Sequence, residues 1–258
     1  MSHGSELNGQ VAIVTGGSEG IGKATALRLA QSGARVAIAA RRADVLEKAA
    51  RDIREAGGTV LPIVADVTQP ADVERLVRTT VAEFGRLDIL VNNAGTGRAN
   101  AFEAVDDATW DADLDVKLYA AIRTTRAALP HLKQRGGRII NVTTPAGKHP
   151  GAKSLPTSVS RAAGIALTKA LSKDLAEHHI LVNTVCVGLI KSAQHERTAQ
   201  KLGVELERHY TDIGKSVPLG RVGEAEEVAN VIVFLASPAA SYVTGTSINV
   251  DGGNASAI

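Results

Sequence analysis

Residues 11–15, Val11-Ala12-Ile13-Val14-Thr15, run without a break into Gly16-Gly17-Ser18-Glu19-Gly20-Ile21-Gly22, after which Lys23 to Ser32 has helical composition. An apolar strand that delivers spaced glycines to a helix start suits the binding of pyrophosphate. The anion accepts hydrogen bonds from N–H groups left free in the first helical turn, where the helix dipole favours negative charge. Only glycine allows both the tight turn and the close approach. The expectation is a dinucleotide site on Gly16, Ser18, Glu19, Gly20, Ile21 and Gly22. A merely structural glycine turn does not explain why strand, glycine spacing and helix coincide. About twenty residues further on, sites of this kind that bind NAD place a carboxylate for the ribose 2′-hydroxyl. This chain has Ala39-Ala40-Arg41-Arg42 there. Guanidinium groups bind a 2′-phosphate bidentately and stack on adenine, so Arg41 and Arg42 argue for NADPH over NADH. Glu19 points the other way, because it lies in the turn near the same phosphate. The alternative for the arginine pair is solvated charge at the opening of a helix.

The elements that must position these residues follow a simple rhythm. Short runs rich in valine and isoleucine, at 11–14, 36–39, 60–64, 89–91, 138–142, 181–187 and 247–250, alternate with longer stretches of helical period. That alternation predicts an α/β Rossmann fold: one doubly wound parallel sheet of seven strands, helices on both faces, forming a single domain over 1–258. Asp44 is expected to cap a helix over 44–56, with Glu47 three residues on and Gly57-Gly58 ending it. Thr68 is expected to open a helix with Pro70 in its first turn, and Asp106 to cap a long helical run through Trp110 toward Pro130. Residues 192–218 are polar and break the rhythm, which predicts a helical lid or substrate loop.

Composition narrows the function classes. A chain of 258 residues that is 44% hydrophobic can bury a stable core. Its 29 basic and 27 acidic residues leave a formal net charge of +2, too little for nucleic acid or an anionic membrane to be the expected partner. No apolar run reaches the roughly 20 residues needed to span a bilayer, and residues 1–6 lack the layout of a signal peptide, so a cytoplasmic protein is expected. The lone Cys186 excludes an internal disulfide and a thiolate metal cluster, and its apolar surroundings in sequence read as a small buried hydrophobe. No metal site is expected.

Two further features complete a family pattern: Asn92-Asn93-Ala94-Gly95 after the fourth strand, and Asp66-Val67 after the third. With Thr15-Gly16-Gly17-Ser18-Glu19-Gly20-Ile21-Gly22, with Asn141-Val142-Thr143-Thr144, and with Pro218-Leu219-Gly220-Arg221, Tyr242-Val243-Thr244-Gly245 and Asp251-Gly252-Gly253, the chain resembles the short-chain dehydrogenase/reductase family over nearly its whole length. Within that family it looks most like an atypical subgroup related to β-ketoacyl-carrier-protein reductases. The resemblance implies cofactor contacts from Asp66, Val67, Asn93, Ala94, Gly95, Gly188 and Ile190. It also implies a homotetramer packed through the long helices before Pro130 and after Arg161.

The resemblance further implies a tyrosine acid, a lysine that lowers the tyrosine pKa and holds the ribose, a serine that orients the carbonyl, and a helix asparagine. At the matching positions stand Thr157, Arg161, Thr144 and Lys117; Thr144 and Thr157 lie thirteen residues apart, the separation the family uses for its serine and tyrosine. A threonine hydroxyl does not ionise in the accessible range, so Thr157 is a poor acid. Thr144 keeps a hydroxyl for a substrate oxygen, and Arg161 keeps a permanent charge for the ribose or an oxyanion. Lys117 has two readings: a proton donor whose pKa is lowered by desolvation beside Arg161, or a structural donor filling the asparagine's place. His149, in the loop expected to pass over the nicotinamide side, is an alternative acid or a plain surface residue.

Two functions remain open on these grounds. One is an NADPH-dependent oxidoreductase moving hydride between the nicotinamide and a small carbonyl or alcohol substrate through a non-standard site; a basic pocket would suit an acidic or enolisable substrate. The other is a dinucleotide-binding protein that has lost turnover and regulates an active relative. Halohydrin dehalogenases also carry arginine for lysine, but Gly16, Gly20, Gly22 and Arg41 argue against an anion pocket replacing the dinucleotide.

Overall fold

The computed structural model describes residues 6–257. Residues 1–5, on which the expectation about a leader rests, lie outside the described residues. Seven parallel strands form one sheet: β1 (Val11–Thr15), β2 (Arg35–Ala40), β3 (Thr59–Val64), β4 (Ile89–Asn92), β5 (Gly137–Thr143), β6 (Ile180–Val187) and β7 (Ser247–Val250). Their order is β3-β2-β1-β4-β5-β6-β7. Winding therefore runs outward from β1 to β3, then restarts at β4 on the other side of β1. This reversal opens a crevice above the C-terminal ends of β1 and β4, the place where open α/β sheets bind ligands. Register across the crevice is fixed by Val14 opposite both Ile38 and Val91.

Helices cover both faces because the strands are apolar on both. One face carries α1 (Gly20–Gln31), α2 (Ala43–Glu55) and α9 (Ala225–Ala236), packed through Leu29, Leu46, Ile53, Val228 and Ile232 against Val14, Val36 and Ile140. The other carries α3 (Pro70–Phe84), α5 (Ala120–Leu132) and α6 (Thr157–Asp174), packed through Leu76, Ala128, Leu132 and Leu171 against Ile13, Leu90 and Ile139. Each fully buried leucine or isoleucine contributes about 1.5–3 kcal/mol by leaving water. Among the described residues, no helix is long and apolar enough to cross a membrane.

Two expected helix starts are displaced. Asp44 does not cap α2; the cap position is Arg42, without a side-chain bond, and Asp44 lies in the first turn, where its charge faces the helix dipole instead. Thr68 does not open α3. Its backbone N–H and its hydroxyl both donate to Asp66 Oδ1, at 3.0 and 2.8 Å, which turns it away from the helix, and α3 starts with Pro70 after Gln69. Asp106 behaves as expected: its carboxylate accepts from the Thr109 N–H at 2.9 Å. The run it starts is interrupted, however. A helix α4 (Asp107–Leu114) passes into one π-type turn over Asp115–Tyr119, in which the Ala120 N–H reaches the Asp115 carbonyl, and then into α5. Residues 192–218 contain α7 (Ala193–Leu202) and α8 (Leu206–Gly214), joined through Gly203 in the left-handed conformation.

Candidate active site

The crevice is braced before any ligand is considered. Thr15 Oγ1, at the end of β1, accepts from the Asn93 and Ala94 N–H groups at 3.0 and 3.1 Å. Asn93 Nδ2 donates back to the Thr15 and Gly16 carbonyls at 3.0 and 3.2 Å. The glycine turn and the end of β4 are thereby held together. Gly16 has φ +67°, and a Cβ on Gly22 would lie 2.1 Å from the Gly16 oxygen, so neither position accepts a side chain. Ser18 and Ile21 are half-buried in this turn, and Gly20 is exposed where it opens α1.

At the outer end of the turn, Arg42 pairs with Glu19, so the residue that argued against the arginines is bonded to one of them. Arg41 is exposed, with Nη1 4.0 Å from Asp66 Oδ2. Asp66 Oδ1 is held by Thr68, and Val67 is buried beside Ala94. At the far end, Gly188 donates its N–H to the Val250 carbonyl at 3.0 Å, a Cβ there would fall 2.6 Å from Asp251, and Ile190 is buried.

Beneath the crevice a ladder of buried polar side chains ties β4, β5 and β6 to α5 and α6. Thr124 Oγ1 donates to Asn92 Oδ1 at 2.6 Å, Asn92 Nδ2 to Asn141 Oδ1 at 2.9 Å, Asn141 Nδ2 to Thr168 Oγ1 at 2.8 Å, and Thr184 Oγ1 to the same Thr168 oxygen at 2.7 Å. Every member is paired, which is the condition for a buried network to rigidify rather than weaken a core. Above the ladder, a cavity of about 20 Å³ is lined by Thr15, Asn92, Lys117, Asn141 and Arg161 among others, enough for about one water molecule.

The charged centre lies directly above. Thr157 and Arg161 are one turn apart on α6, and Asp113 and Lys117 are four apart across the end of α4 and the π-type turn, so each pair shares a helix face. The two faces meet. Lys117 Nζ donates to Thr157 Oγ1 at 2.7 Å and to Asp113 Oδ1. Thr157 Oγ1 donates in turn to the Arg98 carbonyl, which a short antiparallel ribbon of Ala99–Asn100 with Leu155–Pro156 holds close. Asp113 Oδ2 accepts from Ser160 Oγ at 2.7 Å. The side chains of Lys117 and Asp113 are both 0% exposed. Desolvation, aided by Arg161 and Arg98, pushes Lys117 down to about 8 against the opposing pull of Asp113. Arg161 is lowered to about 10 by desolvation and stays charged at neutral pH. Its Nη1 donates to the Val142 carbonyl at 2.8 Å, and its Nη2 would lie 3.0 Å from a Cβ on Gly95.

Among the described residues, Thr144 Oγ1 and Arg161 Nε are buried without a hydrogen-bond partner. Arg161, Lys117, Thr157, Gly95 and Ala94 are thus brought together at the crevice, with Thr144 at the end of β5. His149 is exposed in the following loop, while Lys148 donates to the Ser247 carbonyl and Asn249 Oδ1 at 2.7 and 2.8 Å, tying that loop to β7. Cys186 is buried, as its sequence context predicts, with Sγ 3.1 Å from Thr143 Oγ1. Sequence reasoning missed Asp113 and Ser160. The i, i+4 spacing of Asp113 and Lys117 was the available signal, hidden in a run that also holds Asp106, Asp107, Asp111 and Asp115.

Known proteins place this architecture. The family model described as enoyl-(acyl carrier protein) reductase matches residues 16–255. The 3-oxoacyl-[acyl-carrier-protein] reductase FabG of Thermotoga maritima is 37% identical over 248 residues, covering 96% of this chain and 98% of its own length. The L-sorbose reductase of Gluconobacter frateurii, solved with NADPH and L-sorbose, superposes with a TM-score of 0.94 at 33% identity over 100% of both chains. An NADPH-bound short-chain oxidoreductase from Pseudomonas aeruginosa PAO1, said to contain an atypical catalytic center, superposes with a TM-score of 0.93 at 34% identity, covering 98% of this chain and 100% of that one. Likeness of this extent, running from the glycine turn to the residues after β7, means that the chain belongs to the short-chain dehydrogenase/reductase family of oxidoreductases.

Proposed function

We propose that this protein is an NADPH-dependent reductase of a small carbonyl compound, working in reverse on the alcohol, and that Lys117 rather than a tyrosine supplies the proton. The observation that carries the reading is the enclosed Lys117 ammonium, 2.7 Å from Thr157 Oγ1 and pushed down to about 8. A general acid is most effective when its pKa lies near the working pH. In this reading Thr157, Arg161, Thr144 and Lys117 replace the family's tyrosine, lysine, serine and asparagine. The Pseudomonas relative, said to contain an atypical catalytic center, supports the view that departures from the usual centre occur in the family.

The residues present fit the dinucleotide. The glycine turn is drawn tight, with no room for a Cβ at Gly22 beside the Gly16 oxygen, and Arg161 Nε and Thr144 Oγ1 are buried without a partner. Gly16, Ser18, Glu19, Gly20, Ile21 and Gly22 would hold the pyrophosphate, Arg41 and Arg42 the 2′-phosphate, Asp66 and Val67 the adenine, and Asn93, Ala94, Gly95, Arg161, Gly188 and Ile190 the nicotinamide half. NADPH complexes of two relatives favour NADPH over NADH. When bound, reduced nicotinamide supplies the hydride.

The chain's own residues supply the rest. Thr144 Oγ1 donates a hydrogen bond to the carbonyl oxygen, and the Arg161 charge offsets the negative charge that grows there. The Lys117 ammonium, enclosed behind Thr157, passes one proton to that oxygen through the Thr157 hydroxyl, which gives up its own proton as it takes one from Nζ, and the neutral amine left is reprotonated by the same route between turnovers. Thr157 holds Nζ in place. Helices α7 and α8 serve as the substrate cover, and the family resemblance supports a cytoplasmic homotetramer.

The test is oxidation of NADPH, followed by absorbance, against ketones, β-keto thioesters, quinones and keto acids, alongside a direct NADPH titration. Turnover of at least one class, lost in Lys117→Met while NADPH binding persists, is the expected result. Binding without oxidation across the panel defeats the reductase reading. It favours the second one, a dinucleotide-binding partner of an active relative, which is consistent with two of the three Lys117 N–H groups already being engaged by Asp113 and Thr157.

A further inference from the structure

We propose that Asp113 is a positioning residue that keeps Lys117 charged and aimed at Thr157; the catalytic meaning of this rests on Lys117 being the proton donor. Asp113 lies at the end of α4, four residues before Lys117, and is completely enclosed. Both of its oxygens are used. Oδ1 accepts from the Lys117 ammonium, and Oδ2 accepts from Ser160 Oγ at 2.7 Å. Ser160 is itself 1% exposed and lies on α6 between Thr157 and Arg161, with its hydroxyl 3.0 Å from the Thr157 carbonyl. One carboxylate therefore clamps the π-type turn to the first turn of α6, and the residues it joins are the ones that meet at the crevice.

Its charge matters as much as its reach. The groups facing Lys117 are Asp113 from α4, Thr157 and Arg161 from α6, and Arg98 from the ribbon. Behind Arg161, on β6, lies the Cys186 thiol, which burial pushes up and so keeps neutral. Burial, Arg161 and Arg98 all favour the neutral amine; Asp113 is the charged group that favours the ammonium. A lysine enclosed with other cations and no carboxylate loses its proton well below its ordinary value. Without Asp113 the equilibrium would move toward the neutral amine, held by Thr157 alone.

The test reads the proton directly and needs no substrate. In the full chain with 13C-labelled lysine, the Cε resonance of Lys117 is identified by its loss in Lys117→Met and followed against pH by NMR. The wild-type midpoint is expected near about 8. In Asp113→Asn it falls by at least about one pH unit, a tenfold loss of proton affinity, while Asp113→Glu, which keeps the charge, restores most of it. Asp115→Asn, whose carboxylate pairs with Arg123 instead, leaves the midpoint in place. Should Asp113→Asn fail to fold, Asp113→Ser is read in the same way. An unchanged or raised midpoint on loss of the Asp113 charge overturns the proposal, because a purely structural role would not move the titration. A lowered midpoint together with an active Lys117→Met enzyme defeats only the proton-donor reading. An unchanged midpoint with an inactive Lys117→Met enzyme defeats only the role of Asp113.

Discussion

A buried lysine facing a buried aspartate is a combination whose two halves depend on each other. Removing one partner of such a pair leaves an uncompensated charge in a low-dielectric site, at a cost of about 3–5 kcal/mol. Lys117→Met is therefore expected to destabilise by that order, and Lys117→Met with Asp113→Leu to recover most of it, as read from urea unfolding midpoints. The same lysine sets a pH dependence. With Lys117 as the proposed donor, reduction would use the ammonium and its rate is expected to fall as pH rises through about 8, whereas alcohol oxidation would use the neutral amine and is expected to rise over the same interval. Initial rates in both directions from pH 6 to 10 check the sign; a reduction rate that stays flat through pH 9 would remove Lys117 as donor. Lys117, Thr157, Arg161 and Thr144 were all visible in the sequence once the family pattern fixed the register. Asp113 was not, because one of its two partners, Ser160, lies 47 residues away, and an acidic run on a helix reads as a solvated face.

At the scale of elements, the glycine turn and the second strand make separable claims. Gly22→Ala puts a methyl group 2.1 Å from the Gly16 oxygen, so the turn must open, and NADPH affinity should fall at least tenfold in a fluorescence titration. Arg41→Ala leaves the turn intact and should erode the preference for NADPH over NADH; an unchanged ratio would mean the 2′-phosphate is held elsewhere. The strands were legible because a parallel strand buried on both faces is a continuous apolar run, which needs no context to recognise. Helix starts were less so. Asp44 and Thr68 each have the residue type of a cap, yet Asp66 captures Thr68 and Asp44 serves the dipole from within the first turn. The π-type turn at Asp115–Tyr119 left no mark in composition at all. It closes with a backbone bond from the Ala120 N–H to the Asp115 carbonyl.

For the molecule as a whole, the sheet separates stability from chemistry. The large apolar side chains pack between sheet and helices, while the charged centre sits past the strand ends on α4, α6 and the turn between α4 and α5. Ligand binding should then add to an already stable frame. NADPH at a hundred times its dissociation constant is expected to contribute about 2.7 kcal/mol, raising the unfolding temperature by several degrees. NADH at the same concentration should do less, as differential scanning calorimetry can show. The formal net charge of +2 is consistent with this local arrangement: the cations that matter are few and placed, and a whole-chain balance conceals them.

The clasp between Asp113 and Lys117 also bears on how such a site can change over generations. A substitution at either position alone strands a charge in the interior, so exchange of Lys117 for another residue is expected to cost stability unless Asp113 changes together with it. Lys117→Asn alone should lower the urea unfolding midpoint, and the same change together with Asp113→Ala should recover most of the loss. In that sense the enclosed carboxylate acts as a ratchet: once the lysine has come to depend on it, neither can be given up alone.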